Sequence, residues 1–141
     1  FIMKISARNQ LKGTIIKIQE GSVNSIVTID LGNDNTISAT ISMDSVKKLE
    51  LAVNREAYAI IKATEVMVAT DDIIGLSARN KFKGTISSIE EGAVNAIVTI
   101  DLGTSLISST ISMDSVKDLN LAVGKEAFAI IKATSVIVGV E

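Results

Sequence analysis

The chain has 141 residues, 47% of them hydrophobic but only 3% aromatic, with a formal net charge of −2 and neither His nor Cys. The near-neutral balance excludes a general attraction for nucleic acid or acidic membrane, and the missing residue types exclude a disulfide framework, a thiolate metal site and the commonest general base. The apolar runs are short and broken by charges, so neither a membrane span nor a signal peptide is expected, and the cores must be aliphatic.

Phe1 and Ile2 precede a plausible initiator, Met3, and are set aside. The first informative stretch is Ser6-Ala7-Arg8-Asn9 with Lys12-Gly13, which returns as Ser77-Ala78-Arg79-Asn80 with Lys83-Gly84, an offset of 71. An Arg presents several N–H donors in a fixed plane, and a neighbouring Ser hydroxyl and chain amides can wrap the remaining oxygens of a tetrahedral oxyanion. A solvated entry segment to the first strand is the alternative and weighs equally, although a tetrapeptide kept in both halves exceeds what such a segment requires.

Thr14–Ile18 and Ile26–Leu31 are rich in β-branched residues and are each followed by Gly, so they read as adjacent strands. Thr36–Ile41 alternates polar and apolar residues after a Gly-Asn-Asp-Asn turn signal and should hairpin back to complete a meander. In the second copy this turn is one residue shorter, and beyond it the offset falls to 70.

At Ser42 the period changes. Val46 and Leu49 lie three apart, Ser42 is a good N-cap and Asp44 falls in the first turn, which predicts a short helix over 42–49. Its first amides, with Ser42 and Ser45 and their counterparts Ser112 and Ser115, can serve an anion or can simply cap the helix. Ala57–Ala63 and Glu65–Val68 return to strand composition and are expected to close a barrel with the meander of their own repeat. Between them, Lys62-Ala63-Thr64, repeated as Lys132-Ala133-Thr134, puts a cation among strongly apolar strands. Pointing inward it needs a counter-anion; snorkelling outward it needs none.

The resulting expectation is an all-β chain of two tandem OB-like five-stranded barrels, each with a short helix, spanning residues 3–71 and 74–141. Each unit is near the lower size limit for independent stability, and the stretch 69–75 is too short for a long tether, so the two should pack together.

These stretches together resemble the molbindin, or Mop, family in its two-domain form. The match lies in Ile5–Gly13, Ile41–Val46 and Ile61–Thr64, in order and in both repeats. Leu76 in place of Ile5 and Lys81-Phe82 in place of Gln10-Leu11 are small departures that remove no donor. The resemblance implies cytoplasmic binding and storage of molybdate, and of tungstate, at sites between domains and subunits of a homotrimer. It implies no catalysis, no cofactor and no direct protein–metal bond, the metal being held as its oxyanion. Carried onto this chain, the oxyanion-binding set is Ser6, Ala7, Arg8, Ser42, Ser45, Lys62 and Ala63, with a second set at Ser77, Ala78, Arg79, Ser112, Ser115, Lys132 and Ala133.

Two other classes compete. A nucleic-acid-binding OB module would need a basic groove and exposed aromatics, yet Tyr58 and Phe128 share one strand position where core packing explains them, leaving Phe82 alone. An oxyanion-sensing module of a larger transporter or regulator would fit the same residues, although no Walker-type stretch or separate helical domain is present. An enzyme is disfavoured because Asp30 and Asp101 sit beside turn glycines, where turn chemistry accounts for them.

Overall fold

The computed structural model describes residues 4–71 and 75–141. Residues 1–3 and 72–74, which include both expected unit starts and part of the stretch between the repeats, lie outside the described residues. The first repeat folds as β1 (Asn9–Glu20), β2 (Asn24–Gly32), β3 (Asn35–Ser42), α1 (Met43–Lys48), β4 (Glu56–Ile61), a 3₁₀ turn over Ala63–Glu65, and β5 (Met67–Ala69). The second follows the same order: β6 (Asn80–Glu91), β7 (Asn95–Asp101), β8 (Leu106–Ser112), α2 (Met113–Asp118), β9 (Glu126–Ile131), a 3₁₀ turn over Ala133–Ser135, and β10 (Ile137–Gly139). The chain is all-β, with two barrel-like units.

The strand β1 is long because it serves two partners. Its N-terminal half pairs with β4, Asn9 opposite Ile61 through Thr14 opposite Glu56, and its C-terminal half pairs with β2. A bulge between Ile15 and Lys17 lets the strand bend from one partner to the other, and Ile16, the extra residue, is left exposed. The same bulge recurs between Ile86 and Ser88. Close approach of β1 to β2 and of β6 to β7 explains Gly13 and Gly84: a Cβ there would stand 2.3 Å and 2.5 Å from the carbonyl oxygens of Asp30 and Asp101. In the β2–β3 hairpin Asn33 and Asp34 both take positive φ, 53° and 62°, as a two-residue hairpin turn requires. Its counterpart turns at Gly103, φ 104°, where the one-residue difference between the repeats falls.

One expectation changes. The last short strand of each repeat does not close its own barrel but crosses to the other: the sheet orders are β10-β4-β1-β2-β3 and β5-β9-β6-β7-β8. Met67 pairs with Ile130, and Ile137 with Ile60. In each repeat a 3₁₀ turn, Ala63–Glu65 or Ala133–Ser135, stands between the long strand and the short one that crosses. The exchange interlocks the repeats, and one apolar cluster runs through both, from Leu11, Ile15 and Val27 to Phe82, Ile86 and Val98. Aliphatic burial of this kind is the main favourable term for so short a chain.

The outer strands β3 and β8 would present unpaired backbone groups, and side chains of the opposite repeat cover them. Asn9 donates through Nδ2 to the Ser108 carbonyl at 2.8 Å and accepts from its N–H at 2.7 Å. Asn80 does the same for Ser38, at 2.8 Å in both directions. Both Asn side chains are buried, and each imitates one rung of a strand.

Candidate functional site

The pairing of β1 with β4 fixes where two of the three proposed elements lie. The last paired rungs are Asn9 opposite Ile61 and Asn80 opposite Ile131, so Arg8 and Lys62, and likewise Arg79 and Lys132, directly adjoin the same end of their strand pair. Two cations from separate segments are therefore held at one end of each sheet. In the second repeat they line a pocket of about 160 Å³ with Ser77, Ala78, Ala133 and Thr134, and no carboxylate contributes to its wall. That space equals several waters at about 30 Å³ each, enough for a four-oxygen anion.

The backbone adds donors. Lys62 and Lys132 stand at the entrance of the 3₁₀ turns with extended φ and ψ, and the turns close through Glu65 N–H to the Lys62 carbonyl and Ser135 N–H to the Lys132 carbonyl, both 2.9 Å. Ala133 and Thr134 are the first residues of the second turn, ahead of its closing amide, and both line the pocket. Lys62 and Lys132 are exposed, whereas Ala63 and Ala133 are buried at 8% exposure, so the alanines anchor the turn and leave the lysines at the surface. Ser6, Arg8, Ser77 and Arg79 are exposed, and Ala7 is buried.

The third element does not join them. Ser42 accepts from the Ser45 N–H at 3.1 Å and donates to the Ser45 hydroxyl at 2.9 Å, and Ser112 and Ser115 repeat both bonds at the same distances. Within the chain these hydroxyls cap α1 and α2. Ser42 is opposite Asn24, at the end of β1 remote from Arg8, and strand geometry keeps the two sets apart. Across the repeats, Ser112 lies four residues beyond Ser108, the residue held by Asn9, roughly 13 Å along an extended strand. That exceeds the span of one tetrahedral anion. A site using both sets would need a second chain.

Lys12 and Lys83 also stay outside the pocket, in surface ion pairs with Glu56 at 3.6 Å and Glu126 at 3.4 Å. Thr134, by contrast, lines it and was absent from the expected donor set. Its repetition with Thr64 inside Lys-Ala-Thr was the available signal. Asn9 and Asn80 were visible in the repeated tetrapeptide, but their role as clamps depends on which strand lies at the sheet edge. Among the described residues no group of three or more His, Cys, Asp or Glu could hold a metal ion, and no helix is long and apolar enough to cross a membrane. Tyr58 and Phe82 are buried and Phe128 partly so, which leaves no exposed stacking platform among the described aromatics.

A TOBE domain pattern matches residues 5–68 and again 76–138. The chain is 39% identical over 141 residues to the molybdenum transport protein ModE of Herbaspirillum seropedicae, covering 99% of this chain and 52% of that one. It therefore spans about half the length of the ModE relatives it matches. Over 69 residues it is 61% identical to a probable molybdenum-pterin-binding protein of Haemophilus influenzae, covering 49% of this chain and all of that one. Among solved structures, the cytoplasmic molybdate-binding protein ModG with molybdate bound superposes with a TM-score of 0.94 at 45% identity, covering 99% of this chain and 100% of ModG.

Proposed function

The chain belongs to the TOBE-domain family as two tandem copies, and on that premise we propose that it binds molybdate, and tungstate with it, in a storage or homeostatic role in the cytoplasm. The observation that carries this reading is the convergence of Arg79 and Lys132, with Ser77 and Thr134, on a pocket without a carboxylate in its wall. Molybdate at neutral pH is a fully deprotonated tetrahedral dianion, and a pocket of cations and hydroxyls without a carboxylate suits it. Phosphate is partly protonated there and is best met by a carboxylate acceptor, whose absence from the wall disfavours it. The name of ModG, a molybdate-binding protein, supports the same ligand, and that of the Haemophilus relative, a probable molybdenum-pterin-binding protein, supports a molybdenum species.

In this reading Arg8, Lys62, Ser6 and the amides near Ala7 and Ala63 form one donor cluster, and Arg79, Lys132, Ser77 and the amides near Ala78 and Ala133 the other. Ser42, Ser45, Ser112 and Ser115 would complete the shells from a neighbouring chain of a homotrimer, since within one chain they are too far away. The binder is not an enzyme: the ligand leaves as it arrived. The half-length match to ModE favours a second reading, in which the same chain is the oxyanion-sensing part of a longer transport or regulatory protein.

Lys62→Ala with Lys132→Ala tests the assignment. Both side chains are exposed, so the double variant should fold normally by circular dichroism and lose at least about tenfold in molybdate affinity, as expected when charge-assisted bonds are removed. Unchanged affinity would remove these residues from the site.

A further inference from the structure

The repeats are near copies, but the surfaces beneath Arg8 and Arg79 are not. Arg8 reaches onto the second barrel and lines a depression of about 330 Å³ with Ser88, Glu90, Thr99 and Ser108 among its walls. Its neighbour Asn9 is clamped to Ser108, which fixes that placement. Asn80 is clamped to Ser38 in the same way, so Arg79 starts from the corresponding point over the first barrel. The register there is reproduced: Lys17 opposite Thr28 and Gln19 opposite Ile26 match Ser88 opposite Thr99 and Glu90 opposite Ile97. The Thr28–Ser38 contact of 3.4 Å likewise matches Thr99–Ser108 at 3.2 Å. The charges differ. Where the face under Arg8 carries Ser88 and the acidic Glu90, the matching positions of the first barrel are Lys17 and the neutral Gln19.

We propose that the two Arg–Lys sites are unequal, the Arg79–Lys132 site taking the tetrahedral dianion more tightly than the Arg8–Lys62 site, with Lys17 and Glu90 as the residues that set the difference. This rests on the oxyanion-binding reading above. Glu90 lowers the positive potential at Arg8 and competes with an anion for its guanidinium, and Lys17 raises the potential at Arg79. The side chains already differ in the expected sense: Arg79 lines the pocket that contains Lys132, and Arg8 lines the depression that contains Glu90. Glu65 does not reverse the ranking. It accepts from the Ser135 hydroxyl at 3.3 Å, bridging the two 3₁₀ turns, so its charge bears on both sites.

The test is calorimetric titration of the anion-free full chain with molybdate at low salt, for the wild type and for Arg8→Ala, Arg79→Ala and Glu90→Gln, each checked for folding by circular dichroism. Two affinity classes are expected. Arg79→Ala should abolish the tighter and Arg8→Ala the weaker. Glu90→Gln should tighten the weaker class roughly threefold, and raising the salt should shrink the gap, as screening of exposed charges requires. Uptake in a single class, equal effects of the two Arg substitutions, or no effect of Glu90→Gln would overturn the inference while leaving the binding reading intact. No uptake by the wild type would overturn both.

Discussion

Asn9 and Asn80 show how one side chain can do the work of a missing strand. Each is 3–4% exposed and pairs with both backbone groups of a single residue in an outer strand of the opposite repeat. Removing the amide strands a partly buried N–H and C=O at the interface, at a cost of about 1–3 kcal/mol. Asn80→Ala should therefore lower stability by about 2 kcal/mol in urea unfolding, and Asn80→Asp, which keeps an acceptor but loses the donor to the Ser38 carbonyl, should recover only part of it. A loss below about 0.5 kcal/mol would mean that water replaces both bonds. Tyr58 gives a second residue-scale test. Its hydroxyl donates to the Glu141 carboxylate, and this bond, helped by burial and by repulsion of tyrosinate from Glu141 and Glu56, raises the phenol from 10.0 to about 12. The folded pKa is the higher one, so the contribution is fully present below pH 10 and is lost as pH rises through 12. Because the chain has only one Tyr, an ultraviolet titration reports it directly, and Glu141→Gln should bring the midpoint down. A wild-type midpoint near the free-tyrosine value would contradict the bond.

At the scale of elements, hairpins and helix caps were legible in the sequence because their signals are local. Gly32, Asn33 and Asp34 specify a turn, and Ser42 with Ser45 specify a cap whichever strands lie nearby. The reach of β1 back to Asn9 was not legible, since Ser6–Asn9 has loop composition and Asn9 joins the strand through long-range partners, Ile61 of β4 and Ser108 of β8. The strand exchange was hidden for a related reason. Met67–Ala69 and Ile137–Gly139 are each three residues long, too short for their composition to specify which of two near-identical sheets they join. The candidate site divided along the same line. The neighbourhood of Arg79 and Lys132 follows from strand register and was foreshadowed by their repetition, whereas Ser112 and Ser115 have the right chemistry but bond to each other at a distance from the pocket.

For the whole molecule, the exchange of β5 and β10 ties folding of one repeat to the presence of the other. Residues 4–71 alone would carry β5 without its partner β9, and β4 without β10. Such a half-chain should pair with a second copy of itself, each supplying the final strand to the other, and should sediment as a dimer; a folded monomer would show that β5 can close its own sheet. The same coupling bears on the proposed function, because the Arg79–Lys132 pocket adjoins Asn80, which is bonded to the outer strand of the other repeat, so ligand binding and repeat packing should support each other. The most direct test of oxyanion binding is calorimetric titration of anion-free protein with molybdate, tungstate, sulfate and phosphate, with oligomeric mass measured before and after. Saturable uptake of molybdate and tungstate with little sulfate or phosphate binding is the expected result, and no heat with any of the four would contradict the account.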